Sequence, residues 1–170
     1  MQDVLTGYNG YLQTDGYQVY DRYAEQPGII HLQCMAHARR KFEEALKNDS
    51  KRASYALQQF FAKLYAIERT AVDLNFDDRQ SLRQKQSLPV LLAFRQWLER
   101  ETGNVLPKTP IGKAINYSLG RIDALSIYIT DGRLADVLKR LPTSKQKDVK
   151  ELLPHRWKPA QDRLLTPSDL

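Results

Sequence analysis

Three groups of residues in this 170-residue chain have types and spacings that could do chemistry. The first is Asp15, in the segment LQTDGY, an acid at the end of a short β-prone run and followed at once by Gly16. A carboxylate projected from a strand end can ligate Mg²⁺, and the glycine lets the chain turn sharply beside the ion. Asp-Gly is also one of the commonest turn dipeptides, and spacing alone favours that plainer reading. The second group is His31-x-x-Cys34-x-x-His37. Structural zinc takes four ligands, and only the distant His155 remains to complete a set. Residues three apart on a strand also face opposite sides, so a buried thiol and a hydrogen-bonded histidine are the better reading. The third is Arg39-Arg40-Lys41, with Lys47, Lys51 and Arg52 following. These can line a groove for DNA phosphates, or form a solvated helix face balanced by Glu43 and Glu44. No glycine-rich phosphate loop or activated serine is present, and Cys34 sits in an apolar setting unlike that of a reactive thiol.

The elements that must position these residues are a mixed α/β first third and a helical remainder. Residues 11–14 and 28–34 read as strands, bounded by Gly10, Gly16, Pro27 and Gly28, with a short helix over 17–24 between them. A helix over 37–46 places Ala38, Phe42 and Ala45 on one face. A longer one starts near Lys51, capped by Asp49 or Ser50, and carries Phe60, Phe61 and Leu64 on its apolar stripe. Residues 79–100 continue the pattern with Phe94, Trp97 and Leu98, and Pro89 should break or kink that helix. Thr109-Pro110 is a capped helix start, from which one helix is expected to run through Ile115, Gly120 and Leu125 to Asp131-Gly132. A last helix over 145–153 precedes a proline-rich tail.

Composition narrows the function classes. There are 26 Lys+Arg against 20 Asp+Glu, a net charge of +6 and a pI near 9.4, a balance that favours polyanionic partners. Hydrophobic residues make up 42% and mean hydropathy is -0.56, enough for a core. No apolar run approaches the ~20 residues that span a bilayer, and the amino-terminal residues lack a secretory pattern. The lone Cys34 forms no internal disulfide, so the expected setting is a reducing cytoplasm, with no membrane partner.

The order of segments is more specific than any one of them. GYLQTDGYQVYD, CMAHARRKFEEAL, LYAIER, LPKTPIGKAINYSL and YITDGRL in succession, closed by ADVLKRLPTSKQKDVKELLPHRWKP, resemble the central and terminal parts of insertion sequence 66 family transposases. The resemblance implies an acid-triad transposase that joins and cuts phosphodiesters with Mg²⁺, acts on transposon-end DNA, and has a ribonuclease-H-like core interrupted by helices. Asp15 matches the family's second acid and so becomes a metal ligand on this reading. Cys34-x-x-His37 is similar to an element that follows this acid, which implies a supporting role for both residues. Arg39, Arg40 and Lys41 gain weight as DNA-backbone contacts.

The same resemblance marks two departures. The family's first acid belongs on an earlier strand than any here, and its third, in an Asn-rich segment, should follow YITDGRL, where Ala135 and the terminal element come instead. The expectation is an α+β, predominantly helical chain. Residues 1–50 form a partial ribonuclease-H-like core, 51–134 a helical insertion and 135–170 the terminal element. With one acid of three, Mg²⁺ is not expected to bind productively, and the chain is expected to be a catalytically incompetent remnant. The alternative is a non-enzymatic fragment that binds DNA, full-length transposase or a copy of itself. The incomplete sheet would need cover from the helices or from a partner chain.

Overall fold

A computed structural model describes residues 8–15 and 26–134. The chain divides into two compact units, Met1–Gly132 and Arg133–Leu170. The expected helices over 17–24 and 145–153 and the terminal element lie outside the described residues.

In the first unit β1 (Gly10–Thr14) pairs in parallel with β2 (Ile29–Gln33), in a register that sets Gly10 opposite Ile29 and Thr14 opposite Gln33. The Cys34 N–H donates to the Thr14 carbonyl (2.9 Å), and the Cys34 carbonyl accepts from His37 and Ala38, so β2 passes directly into α1 (Met35–Ala45). The remaining helices are α2 (Ser50–Ala56), α3 (Ala62–Thr70), α4 (Phe76–Leu82), α5 (Leu88–Thr102), α6 (Pro110–Leu119) and α7 (Ile122–Ser126). The described residues are thus predominantly helical, with a small parallel sheet. No helix among them is long and apolar enough to cross a membrane.

Capping follows the sequence. Asp49 accepts from the Arg52 N–H at the start of α2, and Thr109 accepts from the Gly112 N–H at the start of α6. A third cap, Asn75 on the Asp78 N–H, starts α4 earlier than the expected residue 79.

Two expectations change. Pro89 does not end the helical run: it is the second residue of α5, which follows directly on a helical stretch. The preceding Arg83–Ser87 is π-helical, and the Leu88 N–H reaches back to the Arg83 carbonyl. A similar π-helical stretch, Leu57–Phe61, joins α2 to α3. The single helix expected from Pro110 to Gly132 is interrupted, because Gly120 caps α6 and Arg121 adopts a non-helical backbone before α7 begins.

The core is an aromatic cluster drawn from α1, the first π-helical stretch and α5. The Phe42 ring lies 5.5 Å from Phe61 and 6.1 Å from both Phe94 and Trp97, and Phe60 lies 4.8 Å from Phe94. Tilted and edge-on rings at these separations contribute about 0.5–1.5 kcal/mol per pair beyond area burial. Leu64, Leu98, Ile115 and Leu125 are buried around them, as their stripes require. Because α1 also packs on α6, and α7 packs on β2, strands and helices share one body.

A second buried motif joins α4 and the π-helical stretch after it to the end of the unit. Arg83 is fully buried, grips the Glu68 carboxylate with two N–H groups (2.8 and 2.7 Å), and donates to the carbonyls of Tyr128 and Asp131. Arg79 donates to the carbonyls of Ala71, Val72, Leu74 and Gly132. The Asp131-Gly132 stop is therefore pinned by two arginines, and Tyr11 on β1 donates to the Asp131 carboxylate (3.1 Å).

Candidate nucleic-acid interface

Asp15 is exposed and follows β1 directly. Its backbone is held on two sides. The Thr14 carbonyl accepts from Cys34, and the Asp15 carbonyl accepts from the Tyr117 hydroxyl of α6 (2.8 Å). Parallel pairing and a phenol from a distant helix thus fix where this acid stands.

The Cys34-x-x-His37 element turns the chain from β2 into α1 immediately beside it. Cys34 contributes chiefly its backbone, as the N-cap residue of α1. His37 lies on the first turn of α1 with its ring 5.4 Å from that of Tyr117. Burial, followed by the charge of Lys41, holds the His37 imidazole below its usual value, with Arg40 adding to the effect; Asp15 and Glu44 pull the other way. His37 is accordingly neutral at pH 7.

Arg39, Arg40 and Lys41 point in different directions, because each helical residue rotates about 100° from the last. Arg39 pairs with Glu43 (2.7 Å) and lies over the Tyr65 ring. Arg40 is exposed. Lys41, one turn after His37, lies over the Tyr117 ring with its ammonium 4.6 Å from the centroid. Arg121 lies over the same ring, also at 4.6 Å. Burial pushes the Tyr117 phenol up to about 12, with Asp15 contributing, so it remains a proton donor at neutral pH.

Next to this cluster is an open cleft of about 340 Å³ lined by His31, Gln33, Gly120, Arg121, Asp123 and Ala124. His31 and Gln33, two apart on β2, share its wall as strand alternation demands. The His31 Nε2 lies 2.7 Å from the Thr14 hydroxyl, and the Gln33 Nε2 donates weakly to that hydroxyl at 3.5 Å. Gln33 is buried, and its Oε1 has no hydrogen-bond partner. Asp123 at the rim is ion-paired with Arg95.

The divalent-metal fit is incomplete. Among the described residues no group of three or more His, Cys, Asp or Glu side chains is placed to hold an ion. The Asp15 carboxylate acts electrostatically on the His37 imidazole and the Tyr117 phenol. His31 is committed to Thr14, and His155 lies outside the described residues.

Tyr117, Arg121 and Gln33 were not singled out by sequence reasoning. An aromatic residue in an otherwise ordinary helix and an arginine after a glycine stop carry no spacing signal; only the chain's return across Asp15 gives them a role.

The chain matches the family described as "Transposase IS66 family" over residues 1–135. Among curated proteins it is 31% identical over 136 residues to the uncharacterized protein y4jD of Sinorhizobium fredii (strain NBRC 101917 / NGR234), covering 76% of this chain and 27% of that one. It is likewise 31% identical over 137 residues to y4qI (76% and 25%) and 30% over 149 residues to y4hP (78% and 27%), both uncharacterized proteins of the same strain. The chain thus spans about a quarter of the length of these relatives. No solved structure matches it.

Proposed function

The chain belongs to the IS66 family of transposases, and from that premise we propose that it is a DNA-contacting part of an acid-triad transposase, carrying Asp15 as the family's second acid. The observation that carries this reading is the placement of Asp15: an exposed carboxylate at the end of a parallel strand, its backbone fixed by Tyr117 and Cys34. A strand pair bearing an acid at this end, followed at once by a helix, is also compatible with a partial ribonuclease-H-like core. Cys34 and His37 then support the acid from behind, and Arg40 and Lys41 on α1 face DNA phosphates beside it.

On this reading the chain does not transfer phosphodiester bonds by itself. Two-metal catalysis holds its ions about 3.5–4 Å apart between fixed ligands, and the described residues offer no group of three or more His, Cys, Asp or Glu side chains placed to hold them. Mg²⁺, the ion the family implies, would need further acids from elsewhere. The test is a nicking assay on IS66-type element ends with Mg²⁺ or Mn²⁺. No product is expected. Nicking that Asp15→Asn abolishes would overturn the reading.

A non-enzymatic role in binding DNA or a full-length relative is favoured by one feature: the helical body buries its own aromatic core and presents its basic groups without needing a complete catalytic site. Electrophoretic shift with element-end DNA separates the two. A regulatory binder retains sequence preference over random DNA, whereas an incompetent remnant binds weakly and equally to both, with an affinity that falls steeply with salt.

A further inference from the structure

We propose that the outer face of α5 is a self-association surface, on which a second copy of this chain packs its own α5 antiparallel to the first about a two-fold axis at Leu92. The inference stands apart from the transposase reading and does not depend on it.

The first support is that α5 is apolar on two sides. Leu91, Phe94, Trp97 and Leu98 turn inward and are buried. Leu88 and Leu92 turn outward, with 38% and 51% of their surface exposed. A single exposed leucine is ordinary, but these two are one helical turn apart and the residues after them continue the same line. With about 100° between successive residues, Leu88, Leu92, Gln96 and Glu99 fall within an arc of about 80°. All four are exposed, as are Pro89 and Ala93 beside them. Lys85, in the π-helical stretch that leads into α5, is exposed one turn before Leu88. The outer stripe therefore runs from a cation through two leucines and an amide to an anion, over about 20 Å of helix.

The second support is charge complementarity, which selects the occupant. Among the described residues neither Lys85 nor Glu99 belongs to an ion pair. Leu92 lies seven positions from each of them. In an antiparallel pair centred on Leu92, that leucine meets its own copy, Leu88 meets Gln96 of the second copy, and Lys85 meets Glu99 of the second copy; the two-fold repeats each contact. A parallel pair would instead set Lys85 against Lys85 and Glu99 against Glu99. The stripe is thus complementary to itself in one orientation.

The size of the contact sets its strength. A stripe about 20 Å long and one helix wide is small beside the ~800 Å² that each partner buries in a standard interface, so a weak dimer is expected, with a Kd on the order of 10–100 μM.

The experiment is analytical ultracentrifugation of the full 170-residue chain from about 5 μM to about 1 mM, a range that brackets that affinity. A reversible monomer–dimer equilibrium is expected. Leu92→Ser removes apolar contact from both copies at the axis and should weaken it at least about tenfold. Leu106→Ser is the control: Leu106 is more exposed, at 74%, but lies outside the stripe, and its loss should change the dimer by less than about twofold. Both substitutions fall on exposed side chains, and far-UV circular dichroism checks that each variant keeps the fold.

Charge reversal tests the orientation. Lys85→Glu and Glu99→Lys should each weaken the dimer about fivefold, the double variant should return to the parent affinity within about twofold, and the differences should shrink at about 1 M salt. Single reversals without effect, or a double variant as weak as the singles, would overturn the antiparallel register. A dimer that Leu92→Ser leaves intact would overturn the surface. A chain that stays monomeric at the highest concentration would overturn the second copy as occupant and leave the stripe to a different protein or to another segment of the longer family chains.

Discussion

Replacing Arg83 by methionine tests the buried arginine that ties the helical body together. The side chain is fully buried and makes four short hydrogen bonds, two to the Glu68 carboxylate and one each to the carbonyls of Tyr128 and Asp131. Methionine keeps much of the volume, so little of the effect comes from a cavity. What is lost is the ion pair and the donors to two carbonyls. Breaking a buried pair on one side is unfavourable by about 3–5 kcal/mol, because the remaining charge keeps its desolvation penalty. The Glu68 side chain retains 23% exposure and can rotate toward water, which sets the expectation near the lower bound, about 3 kcal/mol. For a chain of this size that is a fall in Tm of about 10 °C. Urea unfolding followed by far-UV circular dichroism measures it, with Glu68→Met and the double variant completing a cycle. The double variant should recover on the order of 1–3 kcal/mol relative to the sum of the singles, since it leaves no orphaned charge. An Arg83→Met variant within 1 kcal/mol of the parent, or strictly additive singles, would refute the claim that this pair organises the end of the unit.

Two further outcomes follow from local geometry. At Gly132 an added Cβ would collide with the Phe76 carbonyl, so Gly132→Ala must displace backbone and should lose about 2–4 kcal/mol by urea titration, whereas Gly103→Ala, with open space around it, should stay within about 0.5 kcal/mol. The Tyr128 phenol, buried beside Ser87 without good hydrogen-bond geometry, is pushed up to about 12 from 10.0 chiefly by burial. A raised folded value means that its contribution is complete below pH 10 and is lost as pH rises toward 12, at up to about 1.4 kcal/mol per unit; melting curves across that window should steepen their fall, and Tyr128→Phe should flatten it.

How much of this was legible in the sequence depends on whether the deciding interaction was local. The caps at Asp49 and Thr109 need only neighbours three residues away, and they stand as their residue types require. Phe60, Phe61, Trp97 and Leu98 fall on stripes whose period alone assigns them to a core. Pro89 and Gly120 were visible as interruptions, but their consequences depended on context. A π-helical stretch leads into Pro89 without ending the helical run, while the glycine stops α6 outright. Arg79 and Arg83 were beyond reach, because a helical arginine is ordinarily solvated and only the returning carbonyls of Tyr128, Asp131 and Gly132 justify its burial. The basic triplet shows the same limit from the other side: Arg39, Arg40 and Lys41 are adjacent in sequence, yet helical rotation sends Arg39 to Glu43 and Lys41 to Tyr117.

Long-range ties join the helices of residues 50–130 to the strand that precedes the acid. Tyr117 reaches the Asp15 carbonyl across 102 residues, and Tyr11 on the same strand reaches Asp131 across 120. Tyr11 within β1 and Asp15 just after it are therefore both braced by residues more than a hundred positions away. Two parallel strands alone are marginal in water, so their order has to be supplied by what packs on them. Here α7 covers β2, and the Asp131-Gly132 stop that closes the unit is itself pinned by Arg79 and Arg83. The chain of dependence runs from Glu68 through Arg83 to Asp131, from Asp131 to Tyr11, and along β1 to Asp15. The helices of residues 50–130 are accordingly the scaffold on which the acid is placed. A change in the Arg83 anchor should be felt at the strand end it never touches.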